Sequence, residues 1–181
     1  MPFSRSASSF RGHELILARV QHAIGCVWTF SNHVNFNGCV FGQNANLKNV
    51  KFNSGADFTG AIFSNNATFS QSIFSKQVTF KQAVFDGVTV FSNATINGGH
   101  FEGAHFDNVA YFDDSTNSNC RFDDCYFESD GEFVGARFIG LTTFVGSHFL
   151  FANFGISKRS AAIFFWKCGV FRLCIYKQCF F

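Results

Sequence analysis

An all-β solenoid is the architecture written into this chain, and three regularities carry it. A bulky apolar residue recurs at intervals of five and six: Phe30, Phe36, Phe41, Leu47, Phe52, Phe58, Phe63, Phe69, Phe74, Phe80, Phe85, Phe91, Ile96, Phe101, Phe106, Phe112, then (after a break at Asn117) Phe122, Phe127, Phe133, Phe138, Phe144, Phe149 and Phe154. The residue two before each slot is small or medium in every case but Trp28. The residue two after is often Gly or Asn. Twenty-nine Phe against one Pro and one Met is the compositional trace of such a repeat.

A period of five fits neither a helix, at 3.6, nor a continuous strand, at 2.0. It fits a short extended segment followed by a tight turn. In each unit the slot residue and the small residue two before it point inward, because alternate residues of an extended segment share a face. The residue between them points outward. Gly or Asn two after the slot is then expected to supply a positive φ at the corner, as at Gly38, Gly60, Gly87, Gly98, Gly103, Gly135, Gly140 and Gly146, with Asn32, Asn49, Asn65, Asn93, Asn108 and Asn119. The flanks divide the chain into 1–27, 28–156 and 157–181. Within the first, His13 to Ile24 reads as a short amphipathic helix capping the N-terminal end, with Gly25 as its stop. In the last, an irregular excursion precedes Gly169-Val-Phe171, Cys174-Ile-Tyr176 and Cys179-Phe-Phe181, which resume the repeat. Either another chain covers that end or the product is truncated.

Units such as Ala56-Asp57-Phe58-Thr59-Gly60, Ala45-Asn46-Leu47 and Ala152-Asn153-Phe154 resemble the motif of the pentapeptide-repeat family: a small residue, Asp or Asn, Leu or Phe, then two polar residues. The resemblance spans about residues 28 to 154. It implies a right-handed quadrilateral β-helix with four sides per coil. This chain departs from the motif in preferring Phe, and in often placing Thr, Ile, Val or His where the family has Asp or Asn. Counting sides from Phe30 as zero, every six-residue step follows an even-numbered side, which stacks the extra residues at two opposite corners of a four-sided coil.

One domain is expected for 181 residues. No apolar run approaches the roughly 20 residues of a spanning helix; Lys167, Arg172 and Lys177 interrupt the most apolar stretch. Glu14 and Arg19 break the only apolar cluster near the N-terminus, so no secretory signal is read, and a cytoplasmic location is expected. Cys39, Cys120, Cys125, Cys174 and Cys179 fall at the small-residue position, where a thiol acts as a small hydrophobe rather than a zinc ligand.

The net charge of +2 conceals a pattern. Residues 1–85 carry seven basic and two acidic groups, residues 86–132 ten acidic groups and only Arg121, and residues 133–181 six basic groups and no acid. Four sides per coil would align Asp86, Asp107 and Glu128, and on the neighbouring side Glu102 and Asp123. They would also align Val40, Ile62, Val84, His105, Tyr126 and His148 in one outward row. Asp86, Glu102, Asp107, Asp123, Glu128, Val84, His105 and Tyr126 therefore make the candidate interaction surface. Asn117 occupies a slot in the otherwise polar stretch from Asp113 to Asn119, and that side is expected to bulge outward or open locally, since a buried amide without a partner costs about 1–3 kcal/mol.

No catalytic motif, cofactor or metal site is read. The function expected is a non-catalytic scaffold for protein–protein interaction, without a transmembrane span or direct nucleic-acid binding; an exposed coil end is a candidate homodimer contact. The alternative implied by the family resemblance is a DNA mimic that inhibits or protects a type II topoisomerase.

Overall fold

Four flat walls built from short parallel strands enclose a column of phenylalanine rings. The structure, a computed structural model, describes residues 27–155 and the strands Ile163–Phe164, Gly169–Val170, Leu173–Ile175 and Gln178–Phe180. The capping helix expected over His13–Ile24 lies outside the described residues.

Wall 1 is a six-stranded parallel ladder that begins at Thr29–Phe30 and ends at Arg137–Ile139. Wall 2 contains Val34–Asn35, Ala56–Asp57, Val78–Thr79 and Gly99–His100, extended by bridges from His100 to Arg121 and from Arg121 to Thr143. Wall 3 begins at Val40–Phe41, and wall 4 at Ala45–Asn46. Walls 3 and 4 merge in the strands Tyr126–Glu132 and His148–Phe154, which run through the corner. Phe41 pairs with Phe63, Phe63 with Phe85, Phe85 with Phe106 and Phe127 with Phe149, so a coil takes 22 or 21 residues. At about 4.8 Å per coil, six coils make a rod about 29 Å long.

The interior follows from the repeat. Phe36, Phe58, Phe80, Phe101, Phe122 and Phe144 line wall 2, and their rings stack at 4.6–5.0 Å. Wall 3 carries an equally unbroken stack from Phe41 to Phe149, with spacings of 4.3–4.9 Å. Across the lumen, rings meet edge to face, as Phe80 does with Phe69 at 5.3 Å and with Phe91 at 5.4 Å. Both arrangements suit the ring quadrupole. Ala, Val, Cys and Gly two residues earlier leave the room these rings occupy.

The corners come in two kinds, which corrects the positive φ expected at Asn32, Asn65, Gly87 and Asn108, while the other Gly and Asn named for it do adopt it. A five-residue step closes as a β-turn: the N–H of Cys39, Ala61 and Ala83 donates to the carbonyl of Phe36, Phe58 and Phe80 at 3.0 Å in each case. The third residue of such a turn has positive φ, the type II pattern, whether it is Gly38, Asn49, Gln71, Gln82, Asp114 or Asp124. A six-residue step spreads the bend over one more residue. There Asn32, Asn65, Gly87 and Asn108 do not adopt positive φ, and corner groups are satisfied by side chains instead, as when Asn65 Nδ2 donates to the Gly42 carbonyl at 3.0 Å. The steps from Phe52 to Phe58 and from Phe138 to Phe144 are exceptions, since Gly55 holds a φ of 94° and Gly140 one of 70°. Step length, more than residue type, decides the backbone conformation.

Gln82 therefore holds a strained conformation, with φ 54°. The left-handed region costs an L-residue about 1–2 kcal/mol, and glycine gives back about 0.5–1 kcal/mol in chain entropy. Gln82→Gly is expected to raise stability by about 0.5–1 kcal/mol, measured by urea unfolding. A loss of stability would show that the corner is not strained.

The Asp or Asn of the motif has a local task. Asp57 Oδ1 accepts the N–H of Thr59 at 2.8 Å, and Asn35 Oδ1 that of Asn37 at 2.9 Å. Thr79 does the same through its hydroxyl for Lys81, more weakly, at 3.3 Å. Thr can replace Asp in this chain because either oxygen satisfies an N–H that the turn leaves unpaired.

Two further expectations are corrected. Asn117 neither bulges nor opens: it is fully buried, and Thr116–Ser118 pairs in register with Thr95–Asn97 and Arg137–Ile139. Its Nδ2 donates to Ser115 Oγ at 2.7 Å, and Ser115 Oγ donates to the Phe112 carbonyl at 2.5 Å. The rungs on both sides outweigh the amide. Beyond residue 155, Val170 pairs with Phe149 and Ile175 with Phe154, one residue before the positions where Phe171 and Tyr176 would resume the repeat. Gln178–Phe180 then turns back antiparallel on Leu173–Ile175 rather than starting another side.

Candidate functional site

Wall 3 gathers most of the residues singled out in the sequence. Its outward column before the slot is Val40, Ile62, Val84, His105, Tyr126 and His148, each paired in register with the next. Tyr126 is stacked between two imidazoles, at 4.6 Å from the His105 ring and 5.2 Å from that of His148. Ile62 and Tyr126 are both 38% exposed, which is high for apolar residues held in a ladder. Asp86, Asp107 and Glu128 form the next outward column on the same wall, each directly after a slot phenylalanine, and all three are exposed. A strip of apolar and aromatic side chains thus runs beside a strip of carboxylates.

Glu102 and Asp123 stand on wall 2, apart from this surface, and both have local partners. Glu102 Oε1 meets Lys81 Nζ at 3.3 Å and His100 Nδ1 at 3.0 Å. Asp123 Oδ1 accepts the N–H of Val145, one coil on, at 2.8 Å. Their carboxylates serve the wall itself, so six of the eight candidate residues remain as one surface.

A second acidic group, on wall 4 and its corner, escaped the sequence reading. Asp113 Oδ1 accepts the N–H of Val134 at 3.0 Å, and Glu132 Oε2 accepts from Asn153 Nδ2 at 2.8 Å. Partial burial pushes both carboxyls above their ordinary values; the hydrogen bonds oppose the shift, while Asp114 adds to it for Asp113, and Asp113 and Asp130 for Glu132. The one-coil offset of 21 residues linking Asp113 to Val134 was the signal that could have exposed this grouping. A raised folded-state pKa means that the native state holds more protons than the unfolded chain between the two values. The stabilising contribution of these groups is complete below the unfolded carboxylate range and is lost as pH rises through the raised folded values. Asp113→Asn with Glu132→Gln should flatten this part of the pH dependence, read from urea midpoints at stepped pH from below 4 upward. A difference between wild type and variant that does not change with pH would refute the assignment.

The described cysteines are interior groups. Cys39, Cys120 and Cys125 are buried. Burial pushes the Cys120 thiol up to about 12 and that of Cys125 well above its usual value. Cys125 Sγ donates to the Phe101 carbonyl at 2.9 Å. A protonated thiol with a carbonyl partner is a core group.

Small–polar–Phe units, turning every five or six residues, match the family described as "Pentapeptide repeats (9 copies)" over residues 36–83 and 69–116, a part of the six coils. The chain is a pentapeptide-repeat protein. No curated protein matches it. Among solved structures it is similar to trypsin-treated QnrB1, a plasmid-mediated fluoroquinolone resistance protein, at 17% identity and a TM-score of 0.29, over 91% of this chain and 89% of that one. As a pentapeptide-repeat protein it displays its chemistry on flat outer walls, its lumen being filled by side chains. No helix among the described residues is long and apolar enough to cross a membrane.

Proposed function

We propose that this pentapeptide-repeat protein is a non-catalytic scaffold that binds a protein partner through wall 3. The observation that carries the reading is the parallel run of two outward columns: Ile62, Val84, His105, Tyr126 and His148, beside Asp86, Asp107 and Glu128. Apolar and aromatic groups supply contact area, and the carboxylates select a partner with a basic rim and steer its approach. A rigid ladder holds these side chains in place before binding, so little ordering cost falls on this partner. Stacked like charges repel by roughly 1 kcal/mol at about 4 Å in water. A basic partner relieves that repulsion.

The DNA-mimic reading has the acidic band in its favour. It needs negative charge along most of the rod, whereas residues 1–85 carry seven basic and two acidic groups and residues 133–181 six basic and no acidic ones. Charge favours the wall-3 scaffold.

The test is affinity capture with three baits: wild type, the triple variant Asp86→Lys, Asp107→Lys, Glu128→Lys, and a control, Lys51→Glu with Arg137→Glu on the opposite wall. Proteins retained by wild type and control but lost from the triple variant are the expected outcome. Identical sets from all three baits would mean that the acidic column only keeps the rod in solution.

A further inference from the structure

Wall 1 meets wall 2 in a groove that the wall-3 reading does not use. Its origin is a missing side chain. Gln77, Gly98 and Asn119 stack at the corner on successive coils, as the neighbouring Val78–Gly99 and Ser118–Asn97 pairs show. Gly98 leaves open the space between the two amides. On the wall-2 side, Arg121 is held between His100 and Thr143. With Leu141, 59% exposed, these groups line a half-open groove of about 310 Å³.

Arg121 is the only basic residue among the ten acidic ones of 86–132. Among the described residues, its guanidinium nonetheless forms no ion pair; the two ion pairs present are Lys81 with Glu102 and His100 with Glu102. Thr143 Oγ1, also in the lining, is buried without a hydrogen-bond partner. Asn119 Oδ1 accepts the N–H of Leu141 at 3.3 Å, which leaves its Nδ2 as a donor. The groove therefore offers an unspent guanidinium fork, amide and hydroxyl donors, and an apolar patch.

We propose that this groove binds a carboxylate group carried on a short aliphatic stem, as in a glutamate side chain. A planar carboxylate matches the guanidinium fork with two parallel hydrogen bonds. Leu141 covers the stem. A phosphate dianion would meet twice the repulsion from the surrounding acidic band. The volume lies at the small end of ligand sites, which suits one side chain rather than a cofactor. The carboxylate comes from an acidic protein segment or from a free small acid, and the two are separable by experiment.

Backbone amide NMR spectra of the whole chain are titrated with N-acetylglutamate amide and, separately, with hexaglutamate, at ionic strength matched with sodium chloride. Saturable shifts centred on Gly98, Asn119 and Leu141 are expected. Arg121→Gln should weaken binding by about tenfold or more, the scale of one charge-assisted hydrogen bond. Gly98→Asn should do the same by filling the groove, and Asn already holds positive φ at the same repeat position at Asn93 and Asn119. Unchanged dispersion of the remaining peaks shows that both variants fold. Saturation by hexaglutamate alone identifies an acidic segment as the ligand source, and equal saturation by both probes a free acid. Absence of saturation with either probe, shifts centred on wall 3, or full binding by Arg121→Gln would overturn the proposal.

Discussion

Phe80→Ala lowers the unfolding free energy by about 3–5 kcal/mol. Phe80 is fully buried, stacks on Phe58 at 4.8 Å and on Phe101 at 5.0 Å, and meets Phe69 and Phe91 edge to face. Each stacked neighbour is fixed by its own rungs; the N–H of Phe58, for instance, donates to the Thr79 carbonyl at 2.8 Å. The walls cannot move in to fill the hole, so the cavity persists and its cost adds to the lost transfer energy. Phe30→Ala costs less, because Phe30 is only half-buried and among the described residues has a single stacked neighbour, Phe52 at 5.1 Å. Urea unfolding of both variants checks the pair. Equal losses, or a loss below about 1 kcal/mol for Phe80→Ala, would contradict a rigid stacked core.

Asn117→Leu acts in the opposite direction and stabilises the protein by about 1–3 kcal/mol. Asn117 lies in wall 1 between Ile96 and Phe138, fully buried, and its Oδ1 has no hydrogen-bond partner. Leu removes that orphaned acceptor at similar volume. Ser115, which accepts from Asn117 Nδ2, still donates to the Phe112 carbonyl, so the substitution strands no donor. The outcome is read from the urea midpoint, with binding assays run beside it. Destabilisation by more than about 1 kcal/mol would show that the amide has a partner or a task not visible in this packing.

The two substitutions bear differently on function. Phe80 is core, and its loss should weaken every surface property in proportion to unfolding. Asn117 sits inside the coils that display Tyr126 and Asp107, yet points away from both surfaces. A stabilised Asn117→Leu protein with unchanged partner capture would place function on the outer walls alone.

The spacing of Phe was enough to identify side and lumen, and the family resemblance added the four-sided coil, which the six-residue steps supported. The reason is periodicity: a five-residue unit repeated through the chain leaves one consistent way to bury every ring, and a slip would expose a whole stack. The outward columns were legible for a related reason, since counting four sides per coil converts positions relative to the slots into neighbours even where a coil has 21 rather than 22 residues. The alignment of Val84, His105 and Tyr126, and of Asp86, Asp107 and Glu128, follows from it. Which partner a given polar side chain takes was not legible. Glu102 finds Lys81 and His100, and Asp123 finds the N–H of Val145, all on wall 2, because of how far each side chain reaches along its own wall. The backbone at the corners was likewise read only in part. Residue type suggested positive φ at Gly87 and Asn108, but the extra residue of a longer step removed the need for it, while shorter steps imposed it on Gln71 and Gln82.

By itself, then, the amino-acid order settled which residues face inward, and, with the four sides per coil that the family resemblance implies, which share an outward column. Tertiary structure decided whether a given polar group is spent or available. Asn117 stays inside because rungs on two sides hold it there, and among the described residues Arg121 forms no ion pair, Glu102 being spent on Lys81 and His100 and Asp123 on the N–H of Val145. Such outcomes turn on differences of an ångström or two between side chains on adjacent coils, a scale that periodicity does not specify.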